Sequence, residues 1–330
     1  MSNSSPDRFK VRRRRRRVAR RRLAGVVLVV VLAAGFASTR VFGGRPTERV
    51  EAAASPGRVE LRALGRVVAE VDAVDAEAAE RMELQRWRRT VLRRIPSELR
   101  RRTAGATVLH RVDRRPAVRD ALAAGSEGGA VQVPVRAVES RIAAPVVAQK
   151  LRNNCETAAL EILLATVGVQ AGQLELQEQL DRSGPLDPVE TPRGRVWGDP
   201  ERGYVGRAEG GGVAGGFGVY ERPIRALAKV HGRGLEDVGG ASVATIYDRL
   251  LEGRAVMAWI GLSEGPYGEW RSPEGNAVRV NFGEHTVVLA GMTRAGRLRV
   301  VNPLQGTSEL WSRRDFEAMW DRLGRRALAA

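Results

Sequence analysis

Residues 149–167 read QKLRNNCETAALEILLATV, and this stretch decides how the second half of the chain is interpreted. Its apolar residues recur at helical spacing and predict a helix over 157–167, with Asn153 or Asn154 suited to the N-cap. Cys155, the only cysteine in 330 residues, then lies in the first helical turn. Unpaired N–H groups and the helix dipole favour a thiolate there, so the position predicts a reactive thiol with a lowered pKa.

A single cysteine excludes an internal disulfide and a multi-cysteine zinc site. Two interpretations of Cys155 remain open. It is either a buried small hydrophobic residue of the core or a nucleophile. A nucleophile needs a base, and the histidines of the chain are the first candidates.

His285 opens the run HTVVLAG, which is typical of a buried strand. Residues 293–296, TRAG, predict a turn, and residues 297–301 predict a returning strand that ends at Asn302. Pairing that is symmetric about this turn places His285 opposite Asn302, within reach of a side-chain hydrogen bond. An amide oxygen there would set the imidazole tautomer and leave the other ring nitrogen for the thiol. The alternative is that His285 is a lone histidine of the core with satisfied hydrogen bonds and no catalytic role.

Gln149 supplies a possible fourth part, because its side-chain N–H groups and the backbone N–H of Cys155 are donors suited to an oxyanion. Gln149, Cys155, His285 and Asn302 follow the chain order of papain-like cysteine peptidases. More closely, six segments resemble the bacterial branch related to double-glycine-leader (bacteriocin-processing) peptidases, over about residues 145–325: NNCETAALEILL, WGDPERGYVG, GFGVYERPI, VMAWIGL, EHTVVLAG and VNPLQG.

The resemblance implies an α+β, papain-like domain with an N-terminal helix that carries Cys155 and an antiparallel sheet that carries His285 and Asn302. It further implies Cys155 as nucleophile, His285 as general base and acid, Asn302 as the orienting residue and Gln149 as oxyanion donor. The implied reaction is hydrolysis of a peptide or related amide through a thioester, with neither metal nor cofactor. Many members of that branch place aspartate where this chain has Asn302, and an amide stabilises imidazolium less than a carboxylate does.

Two other functions fit the same residues. One is an acyltransferase that uses the same cysteine and histidine and passes the acyl group to an amine. The other is a catalytically inactive papain-like module that binds peptide or glycan at the cell surface.

Three aromatic residues are candidates for substrate contact: Trp197, Tyr204 and Tyr220. The alternative is that their rings pack in the core or in loops. Residues 209–220, EGGGVAGGFGVY, follow no apolar strand and lead into no Gly-Lys-Ser, which argues against a phosphate-binding loop and favours a mobile loop lining the cleft.

The N-terminus accounts for most of the net charge of +17. Residues 1–22 hold eleven Lys and Arg against one Asp and are predicted to be a basic cytoplasmic tail. Residues 23–42 follow as a transmembrane signal-anchor, uncharged over residues 23–39, and 43–57 as a linker. Arginines at one end of an apolar segment stay on the cytoplasmic side, so a plasma-membrane protein with its C-terminal domains outside the cell is expected. The alternative is secretion after cleavage of a signal peptide.

The basic run also allows nucleic-acid binding, but a membrane-length apolar segment follows it, so we expect no nucleic-acid partner. Residues 58–144 are predicted to be a small α+β domain, with a hairpin about Leu64-Gly65 and strands at 106–112 and 130–138. Residues 145–330 form the second predicted domain. The expected partners are a peptide or protein substrate and the membrane.

Overall fold

The computed structural model describes residues 57–74, 81–125, 128–210 and 215–330. The predicted basic tail, the transmembrane segment and all but the last residue of the linker lie outside these ranges. Among the described helices, none has both the length and the apolar character needed to cross a bilayer. The described residues from 57 onward belong to one unit, Ala54–Ala330.

The first part of the chain follows the predicted pattern closely. Residues Leu64 and Gly65 turn between two strands as expected, and both have positive φ. The elements in chain order are β1 (Arg58–Ala63), β2 (Arg66–Asp72), α1 (Arg81–Arg94), β3 (Glu98–Arg102), β4 (Ala106–Val112), α2 (Arg114–Ala123), β5 (Gly129–Gln132) and β6 (Val135–Ile142). The strand predicted over 130–138 is therefore two strands.

The second part begins with the helix that carries the cysteine. Its elements are α3 (Cys155–Ala165), α4 (Gln173–Gln179), β7 (Val189–Thr191), β8 (Gly194–Val196), β9 (Val205–Gly206), β10 (Gly216–Gly218), α5 (Glu221–Val230), β11 (Glu236–Asp237), α6 (Val243–Glu252), β12 (Val256–Gly261), β13 (Tyr267–Arg271), β14 (Ala277–Asn281), β15 (Glu284–Met292), β16 (Leu298–Asn302), β17 (Thr307–Trp311), α7 (Arg313–Asp321) and β18 (Ala327–Ala329).

A nine-stranded sheet organises the molecule around β15. Its order is β11-β18-β12-β15-β6-β4-β3, with β16 and β17 joined to it through β15. Strand β12 pairs antiparallel with the first part of β15, while β6 pairs with its last part, where Gly291 lies opposite Arg141. A Cβ at Gly291 would lie 2.5 Å from the carbonyl oxygen of Ser140, so glycine permits this close approach.

Helix α3 is apolar on nearly every side and is buried against β15 and β12. It belongs to a large hydrophobic cluster that also contains buried residues of α5, α6 and α7. A second, smaller cluster lies among β1, β2, α1 and α2. The two clusters correspond roughly to the two predicted domains, but β3, β4 and β6 extend the sheet of the second part. The boundary at residue 145 thus does not separate two sheets, and the assignment of residues 58–144 to a separate small α+β domain stays a prediction.

Candidate active site

Cys155 is the first residue of α3, as the sequence predicted. Asn154 occupies the N-cap position, but its side chain makes no capping hydrogen bond. Its Oδ1 instead accepts the backbone N–H of Leu151 at 2.9 Å, and its Nδ2 donates to Gln173 Oε1 at 3.1 Å. Asn154 therefore holds the loop that precedes the cysteine and leaves the N–H groups of the first helical turn without a side-chain cap.

The thiol of Cys155 is buried among carboxyl groups. The side chain is 4% exposed, and its Sγ lies 3.4 Å from Glu156 Oε2 and 3.9 Å from Glu284 Oε2. Burial, followed by the charges of these two glutamates, raises the pKa of the thiol well above its ordinary value, although a hydrogen bond with the backbone of Thr286 opposes this. The predicted lowering of the thiol pKa is therefore wrong, because burial and two nearby acids outweigh the helix terminus.

Glu156 is buried, Glu284 is half-buried, and their carboxyl groups meet at the thiol. Glu156 Oε1 accepts the backbone N–H of Val219 at 2.7 Å, and Glu284 Oε1 accepts the hydroxyl of Thr286 at 3.0 Å. Burial raises the pKa of Glu156 to about 7, and burial together with the Glu156 charge raises the pKa of Glu284 well above its ordinary value. Two carboxylates this close do not both ionise readily, so the pair retains a proton near neutral pH.

These shifts give the stability of the fold a pH dependence. The folded state keeps carboxyl protons that the unfolded chain releases near pH 4.5, so this stabilisation is lost as pH rises through about 7. Burial lowers the pKa of His285 from 6.5 to about 4. The effect of His285 on stability has the opposite sign, because its contribution is lost as pH falls from 6.5 to about 4. The effect of the two acids is therefore best seen above pH 6.5.

Gly218 allows the backbone to pass close to Glu156. A Cβ at this position would lie 2.0 Å from Glu156 Oε1, and its φ of +118° disfavours any other residue. Trp259 Nε1 donates to the carbonyl of Val219 at 2.9 Å and fixes the same segment to β12. The part of the glycine-rich stretch that was predicted to line a cleft thus forms the short buried strand β10, and its residues 211–214 are outside the described ranges.

His285 and Asn302 meet as the sequence predicted, with His285 Nε2 2.8 Å from Asn302 Oδ1. The register differs from the prediction. Val288 lies opposite Val301, and continuing this register places residue 287, not His285, opposite Asn302. A shift of two residues keeps His285 on the same face of the sheet, so the diagonal pair still forms the hydrogen bond.

The hydrogen bonds of Asn302 define the tautomer of the imidazole. Asn302 Nδ2 donates to Glu309 Oε1 at 3.2 Å, which directs Oδ1 toward the ring. Because an amide oxygen only accepts, Nε2 of His285 carries the proton and Nδ1 keeps its lone pair. This is the tautomer that a general base for the thiol requires.

The thiol belongs to α3 and the imidazole to β15, two elements that pack against each other. The sulfur interacts with the backbone of Thr286, the residue after His285. Within the described ranges, no hydrogen bond joins the thiol to the ring, and His285 is 2% exposed. Cys155 and His285 are therefore near the same part of β15, with the thiol turned toward Glu156 and Glu284.

Gln149 lies beside the end of β16, where its backbone N–H donates to the carbonyl of Pro303 at 2.8 Å. Its side-chain Nε2 donates to the carbonyls of Leu151 and Arg152, both at 3.0 Å. Its Oε1 is buried and has no hydrogen-bond partner among the residues that the structure describes. Both amide N–H groups are thus engaged in the loop, and the predicted oxyanion role requires this side chain to turn.

The three aromatic residues predicted as substrate contacts are buried in the large hydrophobic cluster: Trp197, Tyr204 and Tyr220. The Tyr204 hydroxyl donates to the carbonyl of Asn153, two residues before the cysteine. Arg326 lies 3.8 Å over the Tyr220 ring. The rings therefore pack the protein in this conformation and present no open face for a substrate to stack on.

The other two histidines of the chain lie on other elements. His110 is a buried residue of β4, and His231 is the C-cap residue of α5, where its Nε2 lies 2.8 Å from Gln179 Oε1.

Sequence reasoning missed three glutamates: Glu156, Glu284 and Glu309. Two of them had a weak signal, since Glu156 follows the cysteine inside an apolar helix and Glu284 directly precedes the histidine. Ligand atoms of Cys155, Glu156 and Glu284 lie within 4.8 Å of one another, close enough for a metal ion. The hydrogen bonds within the group and the raised pKa values of its members favour a protonated cluster instead.

Comparisons with known proteins give the family of the second part of the chain. The model of the Peptidase_C39 like family matches residues 141–328, more than half of the chain. A crystal structure of a Bacillus anthracis protein described as C39-like is 25% identical, with a TM-score of 0.49, and the match covers 56% of this chain and 93% of that one. Among curated protein sequences, none matches this chain.

Proposed function

The chain belongs to the Peptidase_C39 like family, and we propose that it is a cysteine peptidase in which Cys155 attacks a peptide or amide carbonyl. One observation supports this proposal above the others. His285 Nε2 lies 2.8 Å from Asn302 Oδ1, so Nδ1 of the ring is left free to act as a base. The sulfur of Cys155 interacts with the backbone of Thr286, the next residue of the strand. The family and the paired side chains point to the same chemistry.

The reaction begins with a turn of the Cys155 side chain away from Glu156 and toward His285. His285 Nδ1 takes the thiol proton, and the thiolate attacks the carbonyl carbon to form a tetrahedral intermediate. The backbone N–H of Cys155 donates a hydrogen bond to the oxyanion of this intermediate. The side-chain amide of Gln149 donates a second hydrogen bond once it has left the carbonyls of the loop. The imidazolium then protonates the leaving amine, and water hydrolyses the thioester.

Burial of the thiol supports a second candidate, an inactive module that binds peptide. A sulfur with a raised pKa is a poor nucleophile until it leaves the acidic cluster. In an inactive module, peptide would bind without moving the Cys155 side chain away from Glu156 and Glu284.

A cleavage assay separates the two candidates. The full chain is incubated with a mixed library of unstructured peptides, and the products are identified by mass spectrometry. We expect cleavage by the native chain and none by Cys155→Ala, with the same circular dichroism for both. Cleavage by Cys155→Ala would overturn the mechanism. Peptide binding without cleavage, together with no labelling of Cys155 by iodoacetamide at neutral pH, would favour the inactive module.

We also propose that residues 23–42 anchor this peptidase in the plasma membrane, with the peptidase part outside the cell. The support is the uncharged run at 23–39 that follows the basic residues 1–22. Carbonate extraction of membranes and protease accessibility in intact cells test this placement. A chain shortened to begin near residue 36–40 in the culture medium would indicate signal cleavage instead.

A further inference from the structure

Glu309 lies on β17 with its carboxylate held by three donors. Thr307 Oγ1 donates to Oε1 at 2.6 Å, Trp311 Nε1 donates to Oε2 at 2.6 Å, and Asn302 Nδ2 donates to Oε1 at 3.2 Å. Residues 307, 309 and 311 point to the same face of the strand, since strand side chains alternate. The strand therefore presents an oriented carboxylate to Asn302.

The orientation of Asn302 depends on this carboxylate. With Nδ2 toward Glu309, its Oδ1 accepts from His285 Nε2 at 2.8 Å and from the backbone N–H of Leu304 at 3.1 Å. If the amide were turned over, its oxygen would face a carboxylate and its N–H₂ would face the N–H of Leu304. Glu309 thus makes the observed orientation the favourable one, and with it the Nε2–H tautomer of His285.

Glu309 also brings a negative charge to the imidazole. Burial raises the pKa of Glu309, but the hydrogen bonds from Thr307, Trp311 and Asn302 together lower it below its ordinary value. The charge of Glu309 in turn raises the pKa of His285, in opposition to burial. A carboxylate next to Asn302 thereby favours imidazolium, as an aspartate in direct contact would.

Three further titratable groups of the described site lie at the thiol. Cys155 and Glu156 are on α3, and Glu284 precedes His285 on β15. Glu284 side-chain atoms contact Thr286 and Cys155, and Glu156 contacts Val219 and Cys155. Glu309 is the acid connected to the ring through Asn302.

We propose that Glu309 is a positioning residue of the active site, which acts through Asn302 to hold the base tautomer of His285 and to stabilise its protonated form. This inference rests on the proposed peptidase function for its kinetic consequence, while its effect on the ring is independent of turnover. Asn302 has no carboxylate of its own, and in this arrangement Glu309 on β17 supplies one.

The test measures the ring first and turnover second. The full chain is labelled with ¹⁵N-histidine, purified in detergent, and titrated by NMR in the Cys155→Ala background. Glu309→Gln is compared with Glu269→Gln, a matched control because Glu269 is 71% exposed and pairs with Arg279 on the surface. We expect Glu309→Gln to lower the pKa of His285 and to reduce the share of the Nε2–H tautomer, and the control to change neither.

Turnover gives the second readout. With Cys155 present, Glu309→Gln is expected to reduce kcat roughly tenfold with little change in KM, since the charge acts on the imidazolium rather than on substrate binding. The double variant Asn302→Asp, Glu309→Gln moves the carboxylate into contact with the ring and is expected to recover most of the loss.

The outcomes are separable. An unchanged pKa and tautomer of His285 in Glu309→Gln overturn the inference, whatever the activity. A shifted pKa and tautomer in a chain that cleaves no peptide leave the positioning role supported and overturn the peptidase proposal. Loss of activity without recovery in the double variant, and with an unshifted ring, identifies Glu309 as a structural residue only.

Discussion

Replacing Glu284 by Gln is expected to lower the pKa of the Cys155 thiol and to speed its alkylation. The substitution keeps the size of the side chain, and the amide oxygen still accepts the Thr286 hydroxyl that now donates to Glu284 Oε1. What it removes is the negative charge 3.9 Å from the sulfur. The variant therefore tests whether the acidic cluster restrains the nucleophile.

The size of the effect follows from that distance. Two unit charges 3.9 Å apart repel by about 4 kcal/mol at an effective dielectric constant of about 20. Such an energy changes the dissociation constant of a thiol by roughly a thousandfold. Glu284 shares its proton with Glu156, so it is ionised for only part of the time, and we expect an increase of at least about tenfold in the thiolate fraction.

The assay is the rate of iodoacetamide alkylation of the full chain between pH 7 and pH 10, followed by intact mass. Cys155 is the only cysteine of the chain, so each added mass reports on this one thiol. The midpoint of the rate profile should move to lower pH in Glu284→Gln, and the exposed Glu269→Gln should leave it in place. A profile that stays in place or moves to higher pH in Glu284→Gln refutes the reasoning.

Three further predictions concern the surroundings of the thiol. Gly218→Ala should destabilise the fold by about 2 kcal/mol or more in urea denaturation, because the new Cβ would meet Glu156 Oε1 at 2.0 Å. The free energy of unfolding should fall as pH rises from 6.5 to 8.5, by at most about 1.4 kcal/mol per pH unit for each proton released, and Glu156→Gln with Glu284→Gln should flatten this slope. Tyr204→Phe leaves the Asn153 carbonyl without its donor and should reduce stability by about 1–2 kcal/mol while KM stays unchanged.

Each of these has its own contradictory result. Gly129 has a φ of +138° and open space at its Cβ position, so Gly129→Ala measures backbone strain alone. Equal losses in Gly218→Ala and Gly129→Ala would show that contact with Glu156 is unimportant. A stability that rises from pH 6.5 to 8.5 would contradict the raised carboxyl pKa values. A large rise in KM for Tyr204→Phe would return Tyr204 to the substrate contacts.

The sequence predicted the elements of the candidate site because they depend on local patterns. Helical spacing located α3 and placed Cys155 in its first turn, and the run after His285 indicated β15. The turn between β15 and β16 brought His285 and Asn302 together. The predicted register was two residues from the observed one because the turn lies further along the chain than predicted, with Met292 opposite Leu298, and the bulge between Leu289 and Met292 shifts the pairing by only one residue. A local pattern reveals neither the position of the turn nor the bulge.

The state of the thiol depended on tertiary structure. A helix terminus favours a thiolate, and that much was visible near Cys155. Burial and the acid of Glu284, 129 residues away along the chain, reverse the direction of the pKa shift. The contact between Asn302 and Glu309 likewise requires β17 to pair with β16. Residue spacing and the turn residues therefore determined which side chains are brought near one another. The protonation of these side chains was decided by desolvation and by charges distant in sequence, because both act through space rather than along the chain.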